Sequence, residues 1–273
     1  MGGAVAAEAE FGLISSLHGR RCGNASRGRI PGIYAAAVRA ITRDATANGW
    51  QIVSDTSWAG YEDIPCGAMQ GHTPWMAEIQ ELAGQGISQP THGFVQAGVN
   101  ALAAAVAGYC RKPFGSMRPS MTVVEPDQTA RLYASIQRDD GQPHSVESAL
   151  DTIMAGLACG DPSPLAWSVL SRCADVFLSC PDFVAARGLR VYGVPVAGDP
   201  FLVSGESGAA TLGALMYVAE YDGLARLERT LRLGPESQVL PIDTEGNPGP
   251  DRFRRVVWEG GDPEPREFRR KTD

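Results

Sequence analysis

Phe94-Val95-Gln96-Ala97-Gly98-Val99-Asn100-Ala101-Leu102-Ala103-Ala104-Ala105 is the stretch on which the reading of this chain turns. It opens on Phe94 and Val95, an aromatic and a β-branched residue suited to a buried strand. Its end is rich in alanine, the strongest helix former, and the helical pattern runs on to Tyr109. Between them lies a turn of small residues. A strand that enters a helix through such a turn exposes backbone N–H groups, because the first helical turn has no preceding carbonyls to receive them. Those groups and the helix dipole favour a phosphate or carboxylate. Tight packing of helix on strand gives the same pattern with no ligand, so the neighbouring segments decide between the two.

Outward from this stretch the pattern alternates. Tyr34–Asn48 is predicted helical, with Val38, Ile41 and Ala45 on one side and Asn48-Gly49 as its stop. Gln51–Ser54 reads as a short strand, Ala77–Ala83 as helix and Gly93–Gln96 as strand. Met121–Val124 reads as a strand ended by Glu125-Pro126. Val146–Leu157 and Pro164–Cys173 read as helices, Val176–Ser179 as a strand, Val184–Leu189 as a helix and Phe201–Val203 as a strand. Helices over Ala209–Glu220 and Leu224–Leu233 and a strand over Gln238–Ile242 follow. This alternation predicts an α/β fold: a mostly parallel sheet with helices on both faces. Ligands of such sheets sit at the carboxyl ends of the strands. Asp55, Ala97, Glu125 and Asp243 all fall just after predicted strands.

The 273 residues carry a formal charge of −7, which argues against nucleic acid or an anionic membrane as partner. Six cysteines (Cys22, Cys66, Cys110, Cys159, Cys173 and Cys180) form no C-x-x-C pair and read as reduced core thiols. The four histidines are scattered, so no metal site is expected. The small apolar start, Met1-Gly2-Gly3-Ala4-Val5, has no basic flank and carries Glu8 and Glu10, so it does not read as a signal peptide. No apolar run is long enough to span a bilayer, and the expected location is cytoplasmic. The only lysines are Lys112 and Lys271.

The common nucleotide motifs, G-x-G-x-x-G and G-x-x-x-x-G-K-[ST], do not occur at a helix start. Ser204-Gly205-Glu206-Ser207-Gly208-Ala209 approaches the nucleophile elbow G-x-S-x-G but ends in alanine. Every histidine precedes Ser207, the wrong order for that hydrolase triad. The segment reads as a small-residue turn facing a ligand or packed on the sheet.

Several segments together resemble one family. They are Asn48-Gly49-Trp50 through Val53-Ser54-Asp55-Thr56-Ser57-Trp58, then Ile64-Pro65, Met69-Gln70-Gly71, Pro90-Thr91-His92 and Gln96-Ala97-Gly98-Val99. Val124-Glu125-Pro126-Asp127, Thr152-Ile153-Met154-Ala155-Gly156-Leu157-Ala158-Cys159-Gly160, Ser204–Ala209, Thr244-Glu245-Gly246 and Val256-Val257-Trp258-Glu259-Gly260 continue the series. From Tyr34 to Gly260, in order and spacing, this resembles diaminopropionate ammonia-lyase, a pyridoxal-phosphate enzyme of the tryptophan-synthase-β (type II) fold. The resemblance implies the type II large domain over 34–260, with most of the small domain missing. Residues 1–33 would be a degenerate remnant of the N-terminal region, irregular over Gly19–Gly32, and 261–273 a flexible charged tail.

The resemblance also implies a cofactor, pyridoxal 5'-phosphate, and a small amino-acid substrate, 2,3-diaminopropionate, eliminated to pyruvate and ammonia. The phosphate turn maps to Ala97, Gly98, Val99, Asn100 and Ala101. The family pattern there is Ala-Gly-Val-Gly-Ala. Asparagine is the least costly replacement if position 100 needs a positive φ, though its side chain is expected to crowd the phosphate. Asp55 matches an active-site aspartate; a strand-end turn is the plainer alternative. Thr244 with Asp243 matches the turn facing the pyridine nitrogen, where the family has serine at 243. Asn24 would touch the ring hydroxyl. The catalytic base aspartate is replaced by Cys22, and the family's histidine near it by Ala25. Met1-Gly2-Gly3-Ala4-Val5-Ala6 looks like the stretch that follows the Schiff-base lysine, so the chain is expected to start just past that lysine. Lys112 lies ten helical residues from the phosphate turn, ~15 Å away. Two functional classes follow. One is a lyase relative inactive on its own, with cofactor held weakly and non-covalently. The other is a non-catalytic remnant that forms a homodimer or associates with an intact homologue.

Overall fold

A computed structural model describes residues 8–14, 25–31, 34–85, 89–114, 117–247 and 249–268. Strands β1 (Glu8–Ile14) and β2 (Ala25–Pro31) pair antiparallel, with Phe11 opposite Gly28. The irregular reading of Gly19–Gly32 therefore fails over 25–31. Ladder bonds are made by the main chain, so a segment of arginines and glycine pairs despite its lack of pattern. Helices α1 (Tyr34–Asn48), α2 (Asp63–Gly71) and α3 (Thr73–Gly84) follow. Then come β3 (His92–Gln96), α4 (Ala101–Phe114), β4 (Ser120–Pro126) and α5 (Arg131–Arg138). Next are α6 (Pro164–Cys173), β5 (Val176–Cys180), α7 (Asp182–Gly193) and α8 (Glu206–Glu220). The last are α9 (Ala225–Leu231), β6 (Val239–Pro241) and α10 (Pro250–Val257).

Strands β5, β4, β3 and β6 lie in that order, and each neighbouring pair is parallel. Successive strand residues point to opposite faces, so the sheet divides the core in two. Val95, Met121 and Val123 pack with Ala103, Ala107 and Cys110 of α4 and with Trp167 and Leu170 of α6. Phe94, Val124 and Leu178 pack on the other face with Phe183 and Val184 of α7 and Ala210 and Ala214 of α8. The α/β architecture with helices on both faces is therefore as expected. Pro241, which has no N–H to give, sits in the edge strand, where the sheet tolerates it.

Helices α7 and α8 touch backbone to backbone. A Cβ on Gly188 would stand 2.2 Å from the Ala209 carbonyl oxygen, and one on Gly213 would stand 2.0 Å from that of Val184. Only glycine permits that approach. It sets the position of α8, whose N-terminus reaches the carboxyl end of the sheet.

Three predicted elements are absent. Gln51–Ser54 forms no strand, because the Tyr61 hydroxyl takes its main-chain bonds: it accepts from Ser54 N–H at 2.8 Å and donates to the Ile52 carbonyl at 3.0 Å. Val146–Leu157 is not a helix beyond a short 3-10 turn at Ala155–Leu157. Leu150 has a φ of 51°, and side chains claim the backbone: the Asp182 carboxylate accepts from Ile153 N–H at 3.1 Å and Thr152 Oγ1 from Met154 N–H at 3.1 Å. Phe201–Val203 finds no sheet edge; Leu202 N–H donates instead to the Tyr192 carbonyl at 3.0 Å, and the side chains stay exposed. The expected tail does not begin at 261. Phe268 packs 4.9 Å from the Phe183 ring and 4.8 Å from that of Tyr221, while Arg187 pairs with Glu264 at 3.3 Å. The segment's one aromatic residue outweighs its charged composition; residues 269–273 lie outside the described part.

Candidate functional site

At the carboxyl ends of β3 and β6 the chain forms a cleft of about 260 Å³. Its floor is the turn between β3 and α4, where Gly98, Val99, Asn100 and Ala101 line the cavity. Ala97 does not. Its side chain is fully buried and its N–H donates to the Val124 carbonyl at 2.9 Å, which extends the sheet rather than facing a ligand. Asn100 has a φ of 80°, as the positive-φ reading of the turn requires. The first α-helical bond of α4 runs from Ala104 N–H to the Asn100 carbonyl, so the amides of Ala101, Leu102 and Ala103 point into the opening without helical partners.

The turn is braced from two sides. Gly98 stands so close to the Gly156 carbonyl that a Cβ would lie 2.6 Å from its oxygen. Gly156 N–H in turn donates to Ser207 Oγ at 3.2 Å. Behind the turn, Asn100 Oδ1 accepts from Arg131 Nη2 at 2.8 Å. The carboxamide oxygen is therefore drawn toward the arginine. Arg131 is fully buried and pairs with Glu125 at 3.6 Å. Burial pushes the Glu125 carboxyl above the usual carboxylate range, while Arg131 and the backbone N–H groups of Tyr133 and Leu132 pull it back. Glu125 caps α5 and does not line the cleft.

Two helix N-termini reach this opening, and they differ. At α8, Glu245 Oε2 accepts from Gly208 N–H at 3.0 Å. Its carboxylate passes so near Gly205 that a Cβ there would stand 2.3 Å from the Glu245 Cδ. That terminus already holds an anion, which also explains why α8 begins at Glu206 rather than Ala209. The α4 terminus is left open.

Asp55, His72 and Thr244 also line the cleft. Thr244 Oγ1 accepts from Gln96 Nε2 at 3.2 Å, which leaves its hydroxyl proton to donate elsewhere. Asp243 is turned away: its Oδ1 accepts from Glu245 N–H at 3.1 Å and abuts Gly208. Asn24 and Cys22 lie outside the described residues. Cys159 is buried and its thiol is pushed above its ordinary range by desolvation, as a core thiol is. The structure adds His72, Gln96, Glu245 and Arg131 to the site. Gln96 and Glu245 carried a signal in sequence, as parts of Gln96-Ala97-Gly98-Val99 and Thr244-Glu245-Gly246; His72 and Arg131 carried none. Among the described residues no group of three or more potential ligands is placed to hold a metal ion, and no helix is long and apolar enough to cross a membrane.

No protein-family model matches the chain. Over 228 residues it is 41% identical to diaminopropionate ammonia-lyase of Escherichia coli K12, covering 83% of this chain and 56% of that protein. The enzyme of Salmonella typhimurium LT2 is also 41% identical, over 229 residues that cover 83% of this chain and 57% of the relative. The chain thus spans little more than half the length of the curated relatives it matches. The crystal structure of the E. coli enzyme in complex with an aminoacrylate-PLP azomethine reaction intermediate superimposes with a TM-score of 0.78 at 41% identity, over 84% of this chain and 58% of that one.

Proposed function

Because the chain is related over most of its length to diaminopropionate ammonia-lyase, we propose that its cleft binds pyridoxal 5'-phosphate by the phosphate, at the open N-terminus of α4. The observation that carries this is the contrast between the two helix ends: α8 is filled by Glu245, whereas α4 offers unpaired amides. The residues fit the group. Gly98 lets the turn close against Gly156, and Asn100 Nδ2 and Gln96 Oε1, both from cleft residues, are buried without partners. The Thr244 hydroxyl suits an unprotonated ring nitrogen, for which it is a donor.

The reaction class is the elimination of ammonia from 2,3-diaminopropionate, after which water hydrolyses the product to pyruvate and a second ammonia. Bound pyridoxal phosphate supplies the electron-withdrawing ring that stabilises negative charge at an amino acid's α-carbon. The chain's own part is to hold and orient. The α4 amides anchor the phosphate, Thr244 holds a proton toward the ring nitrogen, and Asp55 and Glu245 offer carboxylates to a substrate with two ammonium groups. Among the described residues no lysine lines the cleft. Lys112 is in the far part of α4, and Lys271 lies beyond the described residues. We infer that the chain as it stands holds the cofactor non-covalently and does not turn over.

Titrating pyridoxal phosphate against the purified chain, with pyridoxal as control, tests this. Saturable binding at least ~10-fold tighter for the phosphate form is expected, since ~1.4 kcal/mol from the helix-end contacts suffices. Borohydride reduction and peptide mapping should find no adduct, and neither enantiomer of diaminopropionate should yield pyruvate. Pyruvate release with an adduct on Lys112 or Lys271 would overturn the inactive reading. A second reading, association with another copy or with a longer relative, is favoured by the exposed Val194, Val196, Phe201 and Leu202 around the entry to α8. Light scattering of the chain alone and with the longer enzyme reads it directly.

A further inference from the structure

We propose that the Asn100 side chain is itself a phosphate ligand, and that Arg131 is the positioning residue that fixes it. This rests on the reading of the cleft as a pyridoxal-phosphate site and adds a side-chain donor to its backbone anchors.

A guanidinium can only donate, so the 2.8 Å bond from Arg131 Nη2 assigns the carboxamide: its oxygen faces the arginine and its nitrogen faces away. Nδ2 is then left buried and without an acceptor, on a residue only 2% exposed that lines the cleft. The orientation cannot relax by rotation, because Arg131 is held. Its Nη1 donates to the carbonyls of Cys159 at 2.6 Å and Thr129 at 3.2 Å. Glu125, its ion-pair partner, is fixed in turn by the Leu132 and Tyr133 amides at 3.2 and 3.0 Å. A buried donor without a partner is unfavourable, and it sits in the same turn as the open α4 amides. A phosphate oxygen bound there is the acceptor that completes it. Glycine, which the family pattern has at this position, would give the turn its shape but no side-chain donor.

Two variants separate this from a purely structural pairing with Arg131. Asn100→Asp keeps an acceptor for Arg131 and removes the N–H. Asn100→Gly removes both and accepts the φ. Pyridoxal phosphate should bind about 10-fold or more weakly to Asn100→Asp and about 3- to 10-fold more weakly to Asn100→Gly, the range for one lost charge-assisted hydrogen bond. Pyridoxal, which lacks the phosphate, should bind all three forms alike. In proton–nitrogen correlation spectra of the unmodified chain, the Asn100 side-chain amide pair, assigned by its absence from Asn100→Gly, should move downfield on saturation with pyridoxal phosphate. The proposal is overturned if that pair stays in place while the backbone amides of Gly98–Ala103 shift, or if the glycine variant binds as tightly or more tightly. No saturable binding and no backbone shift in the unmodified chain would instead remove the cofactor-site reading, and this proposal with it.

Discussion

Replacing Gly98 with alanine tests the packing that holds the site together. Gly98 does not have a positive φ, so the alanine backbone itself is unstrained. Its Cβ, however, would stand 2.6 Å from the Gly156 carbonyl oxygen. Carbon–oxygen contacts settle at about 3.3–3.6 Å, so the two backbones must part by roughly 0.8 Å. Neither is free to do so. The Gly98 turn is tied through Asn100 to the buried Arg131, and Gly156 N–H is tied to Ser207 at 3.2 Å. A shift of that size breaks the Gly156–Ser207 bond or displaces the α4 amides. Overpacking of this kind costs about 1–3 kcal/mol, against which the loss of glycine's unfolded-state freedom returns about 0.4–1 kcal/mol. A net loss of about 1–2 kcal/mol lowers Tm by roughly 2–8 °C in a chain of this size. The amides retreat from the phosphate by the same distance, and pyridoxal phosphate affinity should fall about 10-fold or more. Gly67→Ala is the control. It sits inside α2 with nothing within 4 Å of its Cβ, so the same change should raise stability by about 0.5–1 kcal/mol. Thermal melts and a fluorescence titration read both variants. Gly98→Ala with unchanged Tm and affinity would refute the close approach and the site built on it.

Two further outcomes follow from packing and charge. Gly213→Ala places a Cβ 2.0 Å from the Val184 carbonyl oxygen at the α7–α8 contact; the urea midpoint should drop by the equivalent of about 3 kcal/mol. Asp175 is pulled up by burial, but its bidentate bonds to Arg118, 2.6 Å each, and the Met121 N–H outweigh that and hold it below the usual carboxylate range. Its contribution is therefore present above the unfolded value of about 3.9 and is lost as pH falls through the lower folded value. Asp175→Asn should melt below the unmodified chain at pH 6, and the gap should close as pH falls below about 4; a gap that widens in acid would contradict the pairing.

The legible parts of the fold were those in which one segment carries its own instructions. Pro164–Cys173 announces a helix through the Ser163 cap and the proline after it, and the structure places α6 over those residues. The parallel strands read from short apolar runs for the same reason. The failures share a cause: the backbone of Gln51–Ser54 is satisfied by a phenol seven residues on, that of Thr152–Met154 by a carboxylate from α7, and that of Leu202 by a carbonyl on α7. Local propensity does not contain the partner that takes the hydrogen bond.

The site divides along the same line. Gly98, Val99, Asn100 and Thr244 could be named from sequence because in parallel sheets the carboxyl ends of strands converge, and Asp55, which follows no strand, because it falls in a matched motif. What sequence misassigned was direction. Asp243 was expected to face the ligand, and its Oδ1 instead accepts from the Glu245 N–H in a local turn. The carboxamide oxygen of Asn100 is taken by a buried arginine that the local sequence does not show. Arg131 is 31 residues from Asn100 in the chain and joins it only because β4 returns beside β3 and α5 packs at its end. A charge buried to 0% exposure must be paired and hydrogen-bonded. The groups that satisfy Arg131 are Glu125, the carbonyls of Thr129 and Cys159, and the phosphate turn itself. The interaction that keeps this charge in the core is therefore the same one that orients residue 100. Loss of the arginine should cost the turn its shape even though the side chain never reaches the cleft.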